Sequence, residues 1–479
     1  MTHLPYEPAN GQRFWDAISK LDGYPRGEQM PIKHMVFESD VLFKTSEILK
    51  SIGTDKREPL LVIMDQTFMK RGGNSLKPLA LAALQNDGWQ IKPILMLPDK
   101  SGQVHTEMPR IKGVQARLTR GCAVLSIGSG VVTDIAKHAC HLYQQETGKK
   151  IPFAVIQTAN SVSAFTSNMA PTFVDGVKRT LDSRYPDALI CDLETLRDAP
   201  KEMTAAGVGD MLAIFVSIPD WILANRLGLD NTYSELAKQL LGPIDEALSS
   251  CAKNIHNIEG AALLAKVISL GGLAMSLSHA TTPLSGFEHV MSHVIDLQAE
   301  MKREPLPPHG SQVALTSIAG AEMYRRFLLD FEPASVDLTS CYPSIDYAQA
   351  HVESSFLSID PSGKAGAECW SDYKQKLEAW HEHRKDFEAV LRDWPSIRRR
   401  LQQETRPPET LIRILHAMDA PLNWDQLNPP VSKERAKFAF MHASLIRKRF
   451  TLGDLLIFLN WDREKLWNNI WNQFFLKSL

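Results

Sequence analysis

The sequence predicts an α/β protein, with a doubly wound and mostly parallel sheet in the first part of the chain and an all-helical second part. Two observations predict it. Up to about residue 200, short apolar runs such as Pro59-Leu-Leu-Val-Ile-Met64 alternate with segments of helical spacing. Parallel strands buried on both faces alternate with crossover helices in this way. Beyond Pro200 the short runs stop and long amphipathic patterns replace them, the mark of packed helices.

Taken in order, strands are expected over 59–64, 91–96, 123–127, 153–157 and 188–191, with helices over 75–86 and 131–143 between them. The helical part reads as 202–226, 234–254, 260–278, 286–298 and 312–328. This gives an α/β domain over 1–200 and a helical domain over 201–479. An insertion near 331–405 interrupts the second domain: 331–362, rich in Pro, Ser and Asp, is expected to be irregular, and the charged stretch 370–405 reads as a solvated helix face.

Composition narrows the class. The 479 residues are 44% hydrophobic and 23% charged, with a formal net charge of −2. That is ample material for cores and gives no charge bias toward nucleic acid or an anionic membrane. The chain opens with no basic segment leading into an apolar run, and no stretch of roughly 18 uncharged apolar residues is evident, so neither a leader nor a membrane span is expected. Cys122, Cys140, Cys191, Cys251, Cys341 and Cys369 lie far apart with no C-x-x-C pair. They read as reduced thiols of a cytoplasmic protein.

Three features carry chemistry. Gly128-Ser129-Gly130 follows a strand and opens a helix. Small residues there let a pyrophosphate approach the helix N-terminus, although an ordinary strand-to-helix turn reads the same way. Asp65 ends the first apolar strand, where an acid accepts hydrogen bonds from a ribose or caps the next segment. Third come potential metal ligands: Asp210 in Gly207-Val-Gly-Asp210, His289 and His293 four apart on one helix face, and His309 in Pro307-Pro-His-Gly310. A carboxylate and two imidazoles hold a divalent ion with positions left for a substrate oxygen; a histidine pair by itself is more often structural.

Together these motifs resemble the sn-glycerol-1-phosphate dehydrogenase branch of the superfamily of iron-containing alcohol dehydrogenases and dehydroquinate synthases. The resemblance rests on Gly128-Ser-Gly-Val-Val-Thr-Asp-Ile-Ala-Lys137, Thr158-Ala-Asn-Ser161 running on to Ser167, 207–221, 285–293, His309-Gly-Ser-Gln-Val313 and, late in the chain, 443–456. It implies the dehydroquinate synthase-like fold and an NAD or NADP cofactor. It implies that Gly128, Ser129, Gly130, Val131 and Val132 carry the pyrophosphate, with Asp134 and Lys137 in the same motif. Thr158, Ser161 and Ser167 then line the cofactor, with Asp65 at the adenosine ribose. Asp210, His289 and His309 match the ligands of one divalent metal (zinc, iron or nickel), and His293 matches a proton-relaying residue beside the substrate. Two positions depart from the branch: Ser163 stands where a substrate-contacting acid is usual, and Ile214 where a lysine is usual.

The activity so implied is reversible hydride transfer between a nicotinamide and the CH–OH group of a polyol or polyol phosphate, with Asp210 and His293 catalytic and Ser163, Asp210 and His293 facing the substrate. Asp65 disfavours a cofactor 2′-phosphate, while neighbouring Lys70 and Arg71 offset that. A homo-oligomer, dimeric or larger, is expected from the same resemblance. Two other readings share these residues: a sugar-phosphate cyclase of the dehydroquinate synthase type, and a non-catalytic relative that keeps ligand binding.

Overall fold

The computed structural model describes residues 4–9, 11–21, 32–174 and 177–476. The chain forms two compact units, one of Met1–Met211 with Ser234–Leu277, the other of Leu212–Tyr233 with Ser278–Leu479. This differs from a single cut near residue 200. The helices Lys201–Met211, Glu235–Leu241, Ile244–Asn254 and Ile258–Leu277 group with the α/β part, because their apolar faces pack among the residues of that unit.

The first unit holds one six-stranded sheet built from β1 (His34–Glu38), β2 (Pro59–Asp65), β3 (Gln90–Met96), β4 (Ala123–Gly128), β5 (Phe153–Gln157) and β6 (Ala188–Asp192). The order across the sheet is β1-β6-β5-β4-β2-β3, and every pairing is parallel. Each expected strand is present, and β1 is an addition at the sheet edge, whose short HMVFE run holds too few consecutive apolar residues to stand out. Leu60, Val62, Leu125, Ala154, Ile156 and Ile190 have no exposure, and burying each of the larger of these side chains contributes about 1.5–3 kcal/mol. Strand order reverses between β2 and β4, where Met64 pairs with Ile127. The strand-end residues Asp65 and Gly128 therefore flank the topological switch point, the place where doubly wound sheets bind ligands. An antiparallel hairpin of Met169–Val174 with Val177–Asp182 was not legible as strands.

The second unit is helical. Its principal members are Ile214–Arg226, Phe287–Lys302 and His309–Asp330. The expected helix 202–226 is two helices, broken at Leu212-Ala213, and 234–254 is broken at Gly242-Pro243, where proline supplies no N–H to continue. The stretch 331–362 is irregular over most of its length, as expected, but carries the helix Ile345–Ser355, capped by the Ser344 side chain. The charged stretch beyond it forms Lys364–Glu382, Arg384–Arg392 and Trp394–Glu404, whose inward faces bury Trp370, Trp380, Phe387, Trp394 and Leu401.

Two helical stretches, Lys201–Arg226 and Ile258–Leu277, are long and apolar enough by composition to cross a membrane, against the expectation that none is. Their most apolar windows are 100% and 78% buried within the protein, so both act as core helices.

Candidate functional site

In the α/β unit, β4 turns into the helix Gly130–Thr147 through Ser129, whose side chain makes no cap bond. The first-turn amides have no partner within the helix, and the positive end of the helix dipole lies at the switch point. A Cβ on Gly130 would lie 2.5 Å from Cγ2 of Val162, so only glycine lets this turn sit against the segment after β5. Thr158 N–H donates to Gly128 O at 3.2 Å, and Thr158, Ser161 and Ser167 are buried. Val132 is buried and Val131 is exposed at the helix start.

Asp134 and Lys137 lie one turn further in and form a buried pair at 2.8 Å. The Lys137 ammonium also donates to Ala164 O at 2.9 Å and Ser167 O at 3.3 Å. Burial pushes the Asp134 carboxyl up, against the opposing pull of Lys137. These two residues hold the 158–167 segment against the helix; their side chains face protein.

Asp65 accepts from the Thr67 hydroxyl at 2.5 Å and from the Lys77 ammonium, which also reaches Asp65 O and Thr67 O at 2.7 Å. Lys77 was not singled out in the sequence; it opens a helix twelve residues from Asp65 and looks like any solvated lysine. Arg71 does not have the role foreseen for it. Its guanidinium is buried against Asp192 at 2.9 Å, Asp40 at 2.6 Å and Glu194 at 3.0 Å, and these carboxylates raise its pKa against the lowering effect of burial. It is a strut between the ends of the chain segments, committed to carboxylates.

The Gly207-Val-Gly-Asp210 motif has a steric cause. A Cβ on Gly207 would lie 1.9 Å from the Asn160 carbonyl oxygen, so the helix Lys201–Met211 can approach the 158–163 segment only with glycine there. Asn160 is itself held, accepting from Gln157 Nε2 at 2.7 Å and donating to Ala261 O at 2.9 Å. The close approach lets Oδ2 of buried Asp210 accept from Ser163 N–H at 3.1 Å and Ser163 Oγ at 3.3 Å. Ser163, expected against substrate, is a partner of Asp210. A second carboxylate at this position would repel Asp210, whereas a hydroxyl and an amide orient it.

In the helical unit the three histidines meet. Ring centroids of His289 and His309 are 5.2 Å apart, those of His293 and His309 are 5.9 Å apart, and those of His289 and His293 are 6.3 Å apart. The helical spacing supplies the first pair; His309 arrives as the first residue of its own helix, directly after Pro307-Pro308. His289 Nδ1 lies 2.8 Å from Oε1 of fully buried Glu288, which also accepts Gly286 N–H at 2.7 Å. Ile214, in place of the branch's lysine, is buried.

The start of the histidine helix is anchored by Asp220. This buried carboxylate accepts from Phe287 N–H at 2.7 Å, Leu452 N–H at 2.7 Å and the Tyr324 hydroxyl at 2.6 Å. Burial outweighs these bonds and pushes Asp220 up to about 7. Arg449 reinforces the same helix start through Ser285 and Thr281. Glu288, Asp220 and Arg449 were missed in the sequence. Only Glu288 carried a signal, its position directly before His289.

Over 309 residues the chain is 30% identical to the glycerol-1-phosphate dehydrogenase (NAD(P)+) of Bacillus subtilis, covering 63% of this chain and 74% of that one. The chain belongs to the glycerol-1-phosphate dehydrogenase branch of the iron-containing alcohol dehydrogenase family. Residues 36–200 match the family model for iron-containing alcohol dehydrogenase. The namesake enzyme of Thermofilum pendens is 27% identical over 300 residues, 61% of this chain and 78% of that one. Among solved structures, an alcohol dehydrogenase from Oenococcus oeni superposes with a TM-score of 0.54 at 14% identity, covering 91% of this chain and 97% of that one. The NADH-dependent butanol dehydrogenase A of Thermotoga maritima gives 0.54 at 15%, covering 94% and 99%. At such identities the structural matches show the fold, which is that of the family.

Proposed function

We propose that this chain is a metal-dependent, NAD(P)-linked dehydrogenase acting on the CH–OH group of a polyol phosphate, in the reducing direction on dihydroxyacetone phosphate or a related ketone. The observation that carries the reading is the trio of close imidazoles, His289, His293 and His309, in a chain whose relatives bear the name glycerol-1-phosphate dehydrogenase. Imidazoles so grouped suit a divalent transition ion such as zinc, iron or nickel. His289 and His309 are its proposed ligands, with Asp210, two residues before the chain passes into the helical unit, as the third.

When bound, the metal supplies Lewis acidity toward the substrate oxygen, and the nicotinamide supplies the hydride. The protein's own groups do the rest. The glycine turn and the amides after Ser129 receive the pyrophosphate, and Asp65, steadied by Lys77 and Thr67, receives the ribose. Thr158, Ser161 and Ser167 wall the cofactor, and the Asp134–Lys137 pair holds that wall. Ser163 orients Asp210. His293 moves a proton to or from the substrate oxygen. The Arg447 guanidinium, 3.4 Å from His293, supplies a cation for an anionic substrate group. Cytoplasmic location and a homo-oligomeric state belong to the same proposal, on family resemblance.

Asp210→Asn and His289→Ala are expected to lose bound metal together with turnover, at least 100-fold in kcat/KM, on the order expected from removing one first ligand. Metal analysis of the purified variants beside NAD(P)H absorbance checks it. Full activity in a metal-free variant rejects the reading. Steady oxidation of added NAD(P)H by a ketone phosphate separates it from a cyclase, which returns its NAD unchanged.

A further inference from the structure

The three imidazoles differ in what meets Nδ1. At His289 it is Glu288 Oε1, 2.8 Å away, an oxygen that already accepts from Gly286 N–H. An oxygen accepting there accepts from the histidine too, so Nδ1 carries the hydrogen and the neutral ring has its lone pair on Nε2. At His309 it is Ser292 Oγ at 3.2 Å. The Ser292 hydroxyl donates to Gln312 Oε1 at 3.1 Å. Gln312 cannot be flipped, because its Nε2 donates to Asp296 Oδ1 at 2.9 Å and Pro307 O at 3.0 Å. With its hydrogen committed to Gln312, Ser292 accepts from His309 Nδ1–H, which again leaves the lone pair on Nε2.

His293 is reversed. Its Nδ1 faces Nη2 of Arg447 at 3.4 Å, and a guanidinium only donates. Nδ1 therefore accepts, and in the neutral ring the hydrogen sits on Nε2.

We infer that Glu288 and the Ser292–Gln312–Asp296 relay are positioning residues that make His289 and His309 present Nε2 lone pairs to a metal, while Arg447 makes His293 an Nε2–H donor, outside the ligand set and set to hydrogen-bond the substrate oxygen. The inference rests on the metal reading above. Sequence spacing treats His289 and His293 alike; the hydrogen-bond partners divide them. Such outer partners fix ring orientation and tautomer, and their loss commonly weakens metal binding 10- to 100-fold, by about that factor for each partner.

The test measures the Zn2+ affinity of the full chain by chelator competition, with the Co2+ absorption spectrum reporting the ligand set. Glu288→Ala and Ser292→Ala are expected to weaken Zn2+ binding about 10- to 100-fold. Glu288→Gln, whose amide oxygen still accepts from Nδ1–H, restores most of the affinity, which a purely packing role does not explain. His293→Ala keeps the Zn2+ affinity and the Co2+ spectrum, while His289→Ala loses both. Should Glu288→Ala fail to fold, Ser292→Ala carries the test, since it removes a single hydroxyl. Wild-type affinity in folded Ser292→Ala, or equal loss in His293→Ala and His289→Ala, overturns the inference and leaves the metal reading standing. A wild-type chain that takes up neither ion overturns both.

Discussion

Gly207 lacks a side chain because the Asn160 carbonyl occupies the space: a Cβ would stand 1.9 Å from that oxygen. The oxygen is backbone and Asn160 is bonded on two sides, so neither partner yields cheaply. Gly207→Ala is expected to destabilise the protein by about 3 kcal/mol and to weaken metal retention by disturbing the Ser163–Asp210 contact; denaturant unfolding and metal analysis check the two effects. The motif was legible in the sequence as a string, but its cause was not. The chain gives no sign that residues 160 and 207 touch. Ser163 teaches the same lesson. Read from the family pattern it is a lost substrate acid, whereas in the fold it is the partner that orients Asp210.

At the level of elements, the helix Gly130–Thr147 serves two purposes. Its first turn offers amides at the switch point, and its next turns bury the Asp134–Lys137 pair and His138. Burial, helped by neighbouring His141, lowers His138 to about 4 from 6.5. The folded state therefore binds this proton less readily than the unfolded chain does. Its contribution is fully present above about pH 6.5 and is lost as pH falls toward 4, up to roughly 3 kcal/mol. His138→Gln, which stays neutral, is expected to flatten that part of the stability profile; urea midpoints at pH 7.5 and 5 for both proteins measure it. The inserted helices show how far composition misleads about an element. The helix Lys364–Glu382 reads as charged and solvated, yet Lys376 is buried in it, paired with Asp454 at 2.6 Å and donating to the Ser444 and Arg449 carbonyls. Breaking such a pair from one side strands the other charge. The insertion is thereby tied to the same C-terminal segment that carries Arg447 and Arg449.

For the whole molecule, ligand linkage gives the broadest check. NADPH or NADH at 100 times its Kd is expected to stabilise the folded chain by about 2.7 kcal/mol, and Zn2+ is expected to add to this in the wild type but not in Asp210→Asn. Thermal unfolding with each ligand alone and with both measures it, and no shift with either dinucleotide contradicts the cofactor reading. By itself the sequence determined the alternating strands and helices of the first part, the helical character of the second and the motifs that mark the family, because periodicity and glycine turns are local properties of the chain. Only the tertiary structure decided which helices group with the sheet, that Arg71 is committed to carboxylates, and which partner meets Nδ1 of each clustered histidine. Those outcomes depend on partners far apart in the chain. Arg447 lies 154 residues from His293 and Arg71 lies 121 from Asp192, and no local pattern encodes a contact of that range.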